Sequence, residues 1–220
     1  MAPWKGDMAA ETRTGAPLAS LAWCVSTVAP AFGSPALLQP CGSIATACAD
    51  GRLRCFAEDG APQWTLACGA AGGALFCTPT PLGASQLLLG TSCGRLLAVE
   101  WEGTAGWLGW ELPLGCGRVV ASIGIDASPP PPQWAGWRMV LVAAANPGEA
   151  ILIAAPEGRG GGKPRAPRVL ARLPFPADLF SAPVLCCGRA VLGCRDDHVY
   201  SMELRWPAQG PSVGADGSTS

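Results

Sequence analysis

Four groups of residues in this 220-residue sequence have side chains that could do chemistry. Cys186 and Cys187 are adjacent thiols, and Gly160-Gly161-Gly162-Lys163 has the glycines and lysine of a phosphate-cradling loop. Cys41, Cys48, Cys55 and the lone His198 are of metal-ligating types, while Ser34, Ser128 and Ser181 are hydroxyls set beside prolines. Each group fails as a site on spacing or context. A phosphate loop needs a glycine where Glu157 stands and a Ser or Thr where Pro164 stands. The three cysteines are seven residues apart, which is not a zinc spacing, and the histidine is far away in sequence. His198 follows Asp196-Asp197 in a turn, where a solvated imidazole is the plain expectation over a general base. Serines recurring at similar places in several repeats read as structural rather than as one nucleophile. The two adjacent cysteines, next to Gly188, read as one inward and one outward strand residue. The residues themselves therefore assign no catalytic, cofactor-binding or metal position.

What must carry these side chains is a turn-rich, apolar chain. Hydrophobic residues make up 49% and charged ones 14%, with 29 Gly and 22 Pro, which is too apolar for a disordered chain. Fifteen basic side chains against sixteen acidic ones leave no excess to neutralise phosphates, so a nucleic-acid partner is not expected. No charge occurs from Thr14 to Ala49, but Pro17, Pro30, Pro35 and Pro40 with Gly15, Gly33 and Gly42 break any membrane-spanning helix there. No membrane partner is expected.

The sequence repeats. Phe32-Gly33-Ser34-Pro35, Phe76-Cys77-Thr78-Pro79 and Phe180-Ser181-Ala182-Pro183 share an aromatic, two small residues and a proline, with a weaker copy at Ile125-Asp126-Ala127-Ser128-Pro129. Turn signals at Gly51, Gly94, Gly148 and Asp197 recur 43, 54 and 49 residues apart. Two registers of one period argue against an accidental likeness within a β-sandwich. Each unit reads as four short antiparallel strands, which in the first lie near 35–38, 43–48, 53–57 and 63–66. Asp50-Gly51 and Asp59-Gly60 supply their reversals.

The expected fold is all-β: a partial β-propeller of four-stranded antiparallel blades, about four in number. The divisions are an irregular stretch at 1–13, a remnant of a preceding blade at 14–30, and blades at 31–74, 75–122 and 123–178. An incomplete last blade at 179–206 and a disordered tail at 207–220 follow. The third blade carries surface insertions, one between its first two strands with Pro129 to Pro132, Trp134 and Trp137, the other between its last two from Gly158 to Pro167.

The first residues lack the apolar segment of a secretory signal, and eleven cysteines with no C-x-x-C pair suit reduced, small hydrophobes. A cytoplasmic location is expected. The start, hairpin and late-tryptophan pattern resembles the pyrroloquinoline-quinone-like repeats, over Phe32 to Trp64, Phe76 to Trp110 and Phe180 to Leu204. The stretches Leu179 to Leu185 and Leu192 to Leu204 are similar to the C-terminal propeller of the beta-alanine-activating enzymes, in the acyl-CoA synthetase family. That resemblance implies an upstream AMP-forming adenylation domain and a phosphopantetheine carrier, with ties to fatty acid metabolism. Neither the adenylation loop nor the carrier serine motif is in this sequence.

No catalytic residue carries over, and no cofactor is expected. Some quinoprotein propellers hold a vicinal disulfide beside their quinone, but the calcium ligands and tryptophan floor that accompany it are missing around Cys186-Cys187. The expected role is scaffolding or recognition. Its partners would be the remaining blades and upstream domains of a larger protein, or another protein. A stand-alone interaction propeller that closes by oligomerising and a quinone-dependent oxidoreductase are the alternatives.

Overall fold

The computed structural model describes residues 9–11, 17–68, 73–158 and 165–211. They form strands and one single-turn 3-10 helix, Pro132–Trp134. A hairpin of β1 (Ala9–Glu11) and β2 (Pro17–Ser20) comes first. Three four-stranded antiparallel sheets follow in chain order. The first holds β3 (Ala36–Leu38), β4 (Ser43–Ala47), β5 (Arg52–Phe56) and β6 (Pro62–Ala67). The second holds β7 (Thr80–Pro81), β8 (Gln86–Gly90), β9 (Arg95–Glu102) and β10 (Ala105–Pro113). The third holds β11 (Gly124–Ile125), β12 (Trp137–Ala144), β13 (Glu149–Pro156) and β14 (Arg168–Pro174). A fourth sheet has three strands, β15 (Val184–Cys186), β16 (Arg189–Gly193) and β17 (Val199–Glu203).

The reversals fall where the turn residues predict them. Between the second and third strands of a sheet the chain adopts the left-handed conformation at Gly51, Gly94 and Asp197, and at Asn146 in the third sheet. These turns also lock the sheets in sequence. The amides of Ala49, Ser92, Ala145 and Arg195 donate to the carbonyls of Pro30, Ala74, Arg118 and Asp178, each in the segment entering its sheet. On leaving the fourth strand, the amides of Cys68, Leu114 and Phe175 donate to the carbonyls of Gly51, Gly94 and Gly148. A connecting segment is thus threaded between one turn and the next. The fit explains two glycines: a Cβ on Gly94 would lie 2.3 Å from the Cys116 carbonyl oxygen, and one on Gly148 would lie 1.8 Å from that of Ala177.

The core lies between successive sheets. Because neighbouring strand residues point to opposite faces, Leu87, Leu89, Leu97 and Val99 meet the first sheet while Leu88, Leu96 and Ala98 meet the third. In the third sheet Val140, Val142, Ile151 and Ile153 face backward to the second, and Met139, Leu141, Ala143 and Leu152 face forward to the fourth. A strand covered on both faces must be apolar throughout, which is why β8, β9, β12 and β13 read as continuous hydrophobic runs. Each fully buried Leu or Ile contributes about 1.5–3 kcal/mol.

The third unit departs from its sequence reading. The Pro129 to Pro132 insertion does lie between the first two strands, β11 and β12, but the repeat-start likeness at Ile125 to Pro129 is out of register, because β11 is Gly124–Ile125 and the equivalent of Pro79 is Ile123. The Asp126-Ala127-Ser128 stretch is an Asx turn, in which the Ser128 amide donates to Asp126 Oδ1 at 3.0 Å. The insertion expected at the surface contains two buried rings instead, Trp134 at 2% exposure and Trp137 at 4%. Trp206 packs on Trp134 with ring centres 5.0 Å apart, and Trp134 Nε1 donates to the Pro207 carbonyl at 3.0 Å. The first residues of the stretch expected to be a disordered tail are therefore held on the third sheet, while 212–220 lie outside the described residues. So do Thr14, Gly15, residues 1–8 and the Gly160–Lys163 loop. Among the described residues no helix is long and apolar enough to cross a membrane.

Candidate interaction face

The fourth sheet is built to be covered on one side. Ala190, Leu192 and Leu204 are buried against the third sheet, with Leu185, Tyr200 and Met202 packed beside them. On the other face the register aligns Val184 with Val191 and Ser201, Gly193 with Val199, and Cys186 with Arg189 and Glu203. Nothing in the described structure covers that face: Val184 is 66% exposed, Val191 40% and Val199 75%. Arg189 lies 3.8 Å from Glu203, and Arg205 lies 3.0 Å from it, both pairs in water and worth little to stability.

The edge is open as well. In the other sheets the chain reverses after the third strand and returns as a fourth. After β17, however, the Leu204 amide donates to Gly188 and the chain turns back to dock Trp206 and Pro207 on Trp134. Among the described residues, no strand pairs with the free side of β17. The site thus combines β-branched outward side chains, a small charged cluster and an unpaired strand edge, which is a template for strand addition. The sequence showed that this unit stops after three strands; it did not show which valines face out.

The chemical candidates fall elsewhere and apart. Ser181 Oγ donates to the Gly193 carbonyl at 2.8 Å and accepts from the Gly193 amide at 3.0 Å. Cys77 makes the same reciprocal pair with Gly90 in the second sheet, so it is Cys77 that corresponds to Ser181. Ser34 is one position later in its repeat, with its amide donating to Thr78 Oγ1 at 2.9 Å, and Ser128 sits in the Asx turn. The three serines are not equivalent, which corrects the reading from repeats. Neither Cys77 nor its clamp on Gly90 was foreseen; the shared Phe-x-x-Pro frame was the available signal.

Among the described residues, no three His, Cys, Asp or Glu side chains gather to hold a metal. Cys48 and Cys55 are buried and Cys41 is exposed, with burial pushing the Cys55 thiol up to about 11. His198 stands in water and its Nδ1 lies 2.6 Å from the Asp196 carbonyl oxygen. Asp196 accepts the Tyr200 hydroxyl, which holds its carboxylate below the usual range and pushes Tyr200 up to about 12. This is a self-contained turn. Cys186 and Cys187 are free and exposed, with sulfurs 3.4 Å apart, so neither is the inward residue that strand alternation led us to expect.

No family model matches the sequence, and no curated protein matches it. Solved structures do. BBS1N, solved in complex with ARL6DN, aligns over 93% of this chain and 60% of its own, with a TM-score of 0.57 and 14% identity. BamB from Moraxella catarrhalis, a PQQ-like β-propeller protein, aligns over 93% of this chain and 56% of its own, with a TM-score of 0.54 and 18% identity. The computationally designed Ika4 protein aligns over 82% of this chain and 94% of its own, with a TM-score of 0.58 and 12% identity. The chain spans less than two thirds of the length of the first two. Its fold is an all-β partial propeller of antiparallel blades.

Proposed function

We propose that this chain is a non-catalytic propeller portion that holds a protein partner, by its fourth sheet, within a beta-alanine-activating-enzyme-like protein of the cytoplasm. The observation that carries the recognition role is the uncovered valine face beside the unpaired edge of β17. Further blades of the same protein, or a separate protein, would extend the sheet by strand addition and cover Val184, Val191 and Val199. BBS1N, with a similar fold, was solved with a protein bound, which favours this class of role. The parent reading rests on the likeness of Leu179 to Leu185 and Leu192 to Leu204. Its missing upstream part would be an ATP-dependent, AMP-forming acid ligase that loads a phosphopantetheine carrier.

Three measurements test these levels separately. Sedimentation of the chain should show self-association that Val191→Glu reduces; a sharp monomer at micromolar concentration, with a cooperative thermal transition, sinks the open-face reading. Sequencing of the full transcript should join these residues in frame to an adenylation domain. A complete frame without one removes the parent and leaves the scaffold. The purified 220 residues alone should give no beta-alanine-dependent ATP–pyrophosphate exchange, and reproducible exchange would overturn the non-catalytic reading.

A further inference from the structure

Cys186 pairs with Arg189 across the β15–β16 hairpin, so Cys187 and Gly188 are its two-residue loop. Both are left-handed, with φ of 51° and 72°, as a type I′ turn requires. The first position of such a turn favours Asn, Asp or Gly, and an ordinary side chain is disfavoured there. That conformation has a chemical result. Successive strand residues normally point to opposite faces, yet here the two sulfurs approach to 3.4 Å, both in solvent.

The pair is poorly made for a bond to itself. Adjacent Cα atoms are about 3.8 Å apart across a trans peptide, below the roughly 4.4–6.8 Å usual for disulfides. A direct bond would be strained and readily reduced. Bridging by one further atom is a different matter. With sulfur bonds of about 2.3 Å, a 3.4 Å separation subtends an angle of roughly 95° at that atom. This excludes a linear two-coordinate ion, and the lack of a third ligand among the described residues excludes a closed zinc site.

We propose that Cys186 and Cys187 form a turn-preset dithiol site for a soft, pyramidal, thiophilic centre that needs only two protein sulfurs, trivalent arsenic being the class that fits. Binding is a condensation with no change of oxidation state. With phenylarsine oxide, two S–H bonds and the As–O bond break, two As–S bonds form, and one water leaves carrying both protons and the oxygen. The hydrogen bond between the two sulfurs holds the Cys186 thiol above its ordinary value. Arg189, across the register from Cys186, is the cationic neighbour, and Asp126 is the acidic one.

The test uses the reduced full chain and phenylarsine oxide, read by intact mass. One adduct should survive excess monothiol and leave with a dithiol. Cys187→Asn keeps a residue that favours the left-handed turn, so it should retain the thermal midpoint and lose the resistant adduct. Cys186→Ser should lose it too, and Cys93→Ser, at another exposed thiol, should keep it. A peptide of residues 183–190 should bind about tenfold more weakly, because its turn is not preset. The proposal is overturned if wild type retains no monothiol-resistant adduct, if Cys187→Asn keeps one, if the peptide binds equally well, or if glutathione disulfide converts the pair to an intrachain disulfide in most molecules.

Discussion

The third and fourth sheets are built from similar strands but meet different surroundings. In β13 every residue after Glu149 is buried, because the second sheet covers one face and the fourth covers the other. In β17 exposure alternates along the strand: Val199, Ser201 and Glu203 are exposed, while Tyr200 and Met202 pack against the third sheet. The contrast teaches that the number of neighbours a sheet has is written in the period of its hydrophobic pattern. A continuous run marks a sheet held between two others, and alternation marks one covered face.

The comparison can be broken most severely with alkali. Interior thiols are held neutral by burial, Cys68 up to about 12 and Cys55, Cys77 and Cys116 up to about 11, against an ordinary value of 9.0. Above pH 9 the unfolded chain releases these protons and the folded one does not. Stability is therefore complete below pH 9 and is lost as pH rises toward 11–12. Urea midpoints from pH 8 to 11 should fall steeply, and a flat profile would mean the interior thiols are exposed.

Single substitutions sharpen the contrast. Ile151→Ala, between the second and third sheets, should destabilise by about 2–5 kcal/mol in chemical denaturation. Gly148→Ala forces a Cβ onto the Ala177 carbonyl and should cost about 1–3 kcal/mol. Trp134→Phe removes the hydrogen bond to Pro207, at about 1 kcal/mol, and should quicken proteolysis after Arg205. Val199→Ala on the open face should shift stability by no more than about 0.5 kcal/mol. A loss at Val199 matching that at Ile151 would show that the face is covered.

Much of this was legible before any coordinates. The first sheet's strands, Ala36–Leu38, Ser43–Ala47, Arg52–Phe56 and Pro62–Ala67, fall within a residue or so of their expected places. Asp50-Gly51 and Asp59-Gly60 announce local backbone conformations that no distant contact overrides. The misreadings involve distance or mimicry. Asp126-Ala127-Ser128-Pro129 has the composition of a repeat start, yet closes an Asx turn after the strand. Trp134 sits in a proline-rich insertion that looks exposed, until a carbonyl 73 residues later meets its indole. The open face was hidden for another reason: Val191 and Val199 are the same residue type as the buried Val140 and Val142, so residue type alone does not mark them as outward. Nor did strand alternation foretell the paired thiols, because a left-handed Cys187 suspends alternation locally.

The threading of each connecting segment between consecutive turns makes the molecule behave as a one-dimensional chain of coupled units. Every unit gains stability only from those beside it, so opening propagates inward from the termini as fraying rather than nucleating in the middle. Backbone amides of β12 and β13 should then exchange with solvent by global unfolding, while those of β15 to β17 exchange through opening of the last unit alone. An added neighbour would slow exchange in the fourth sheet first, turning the least protected part of the molecule into another interior position.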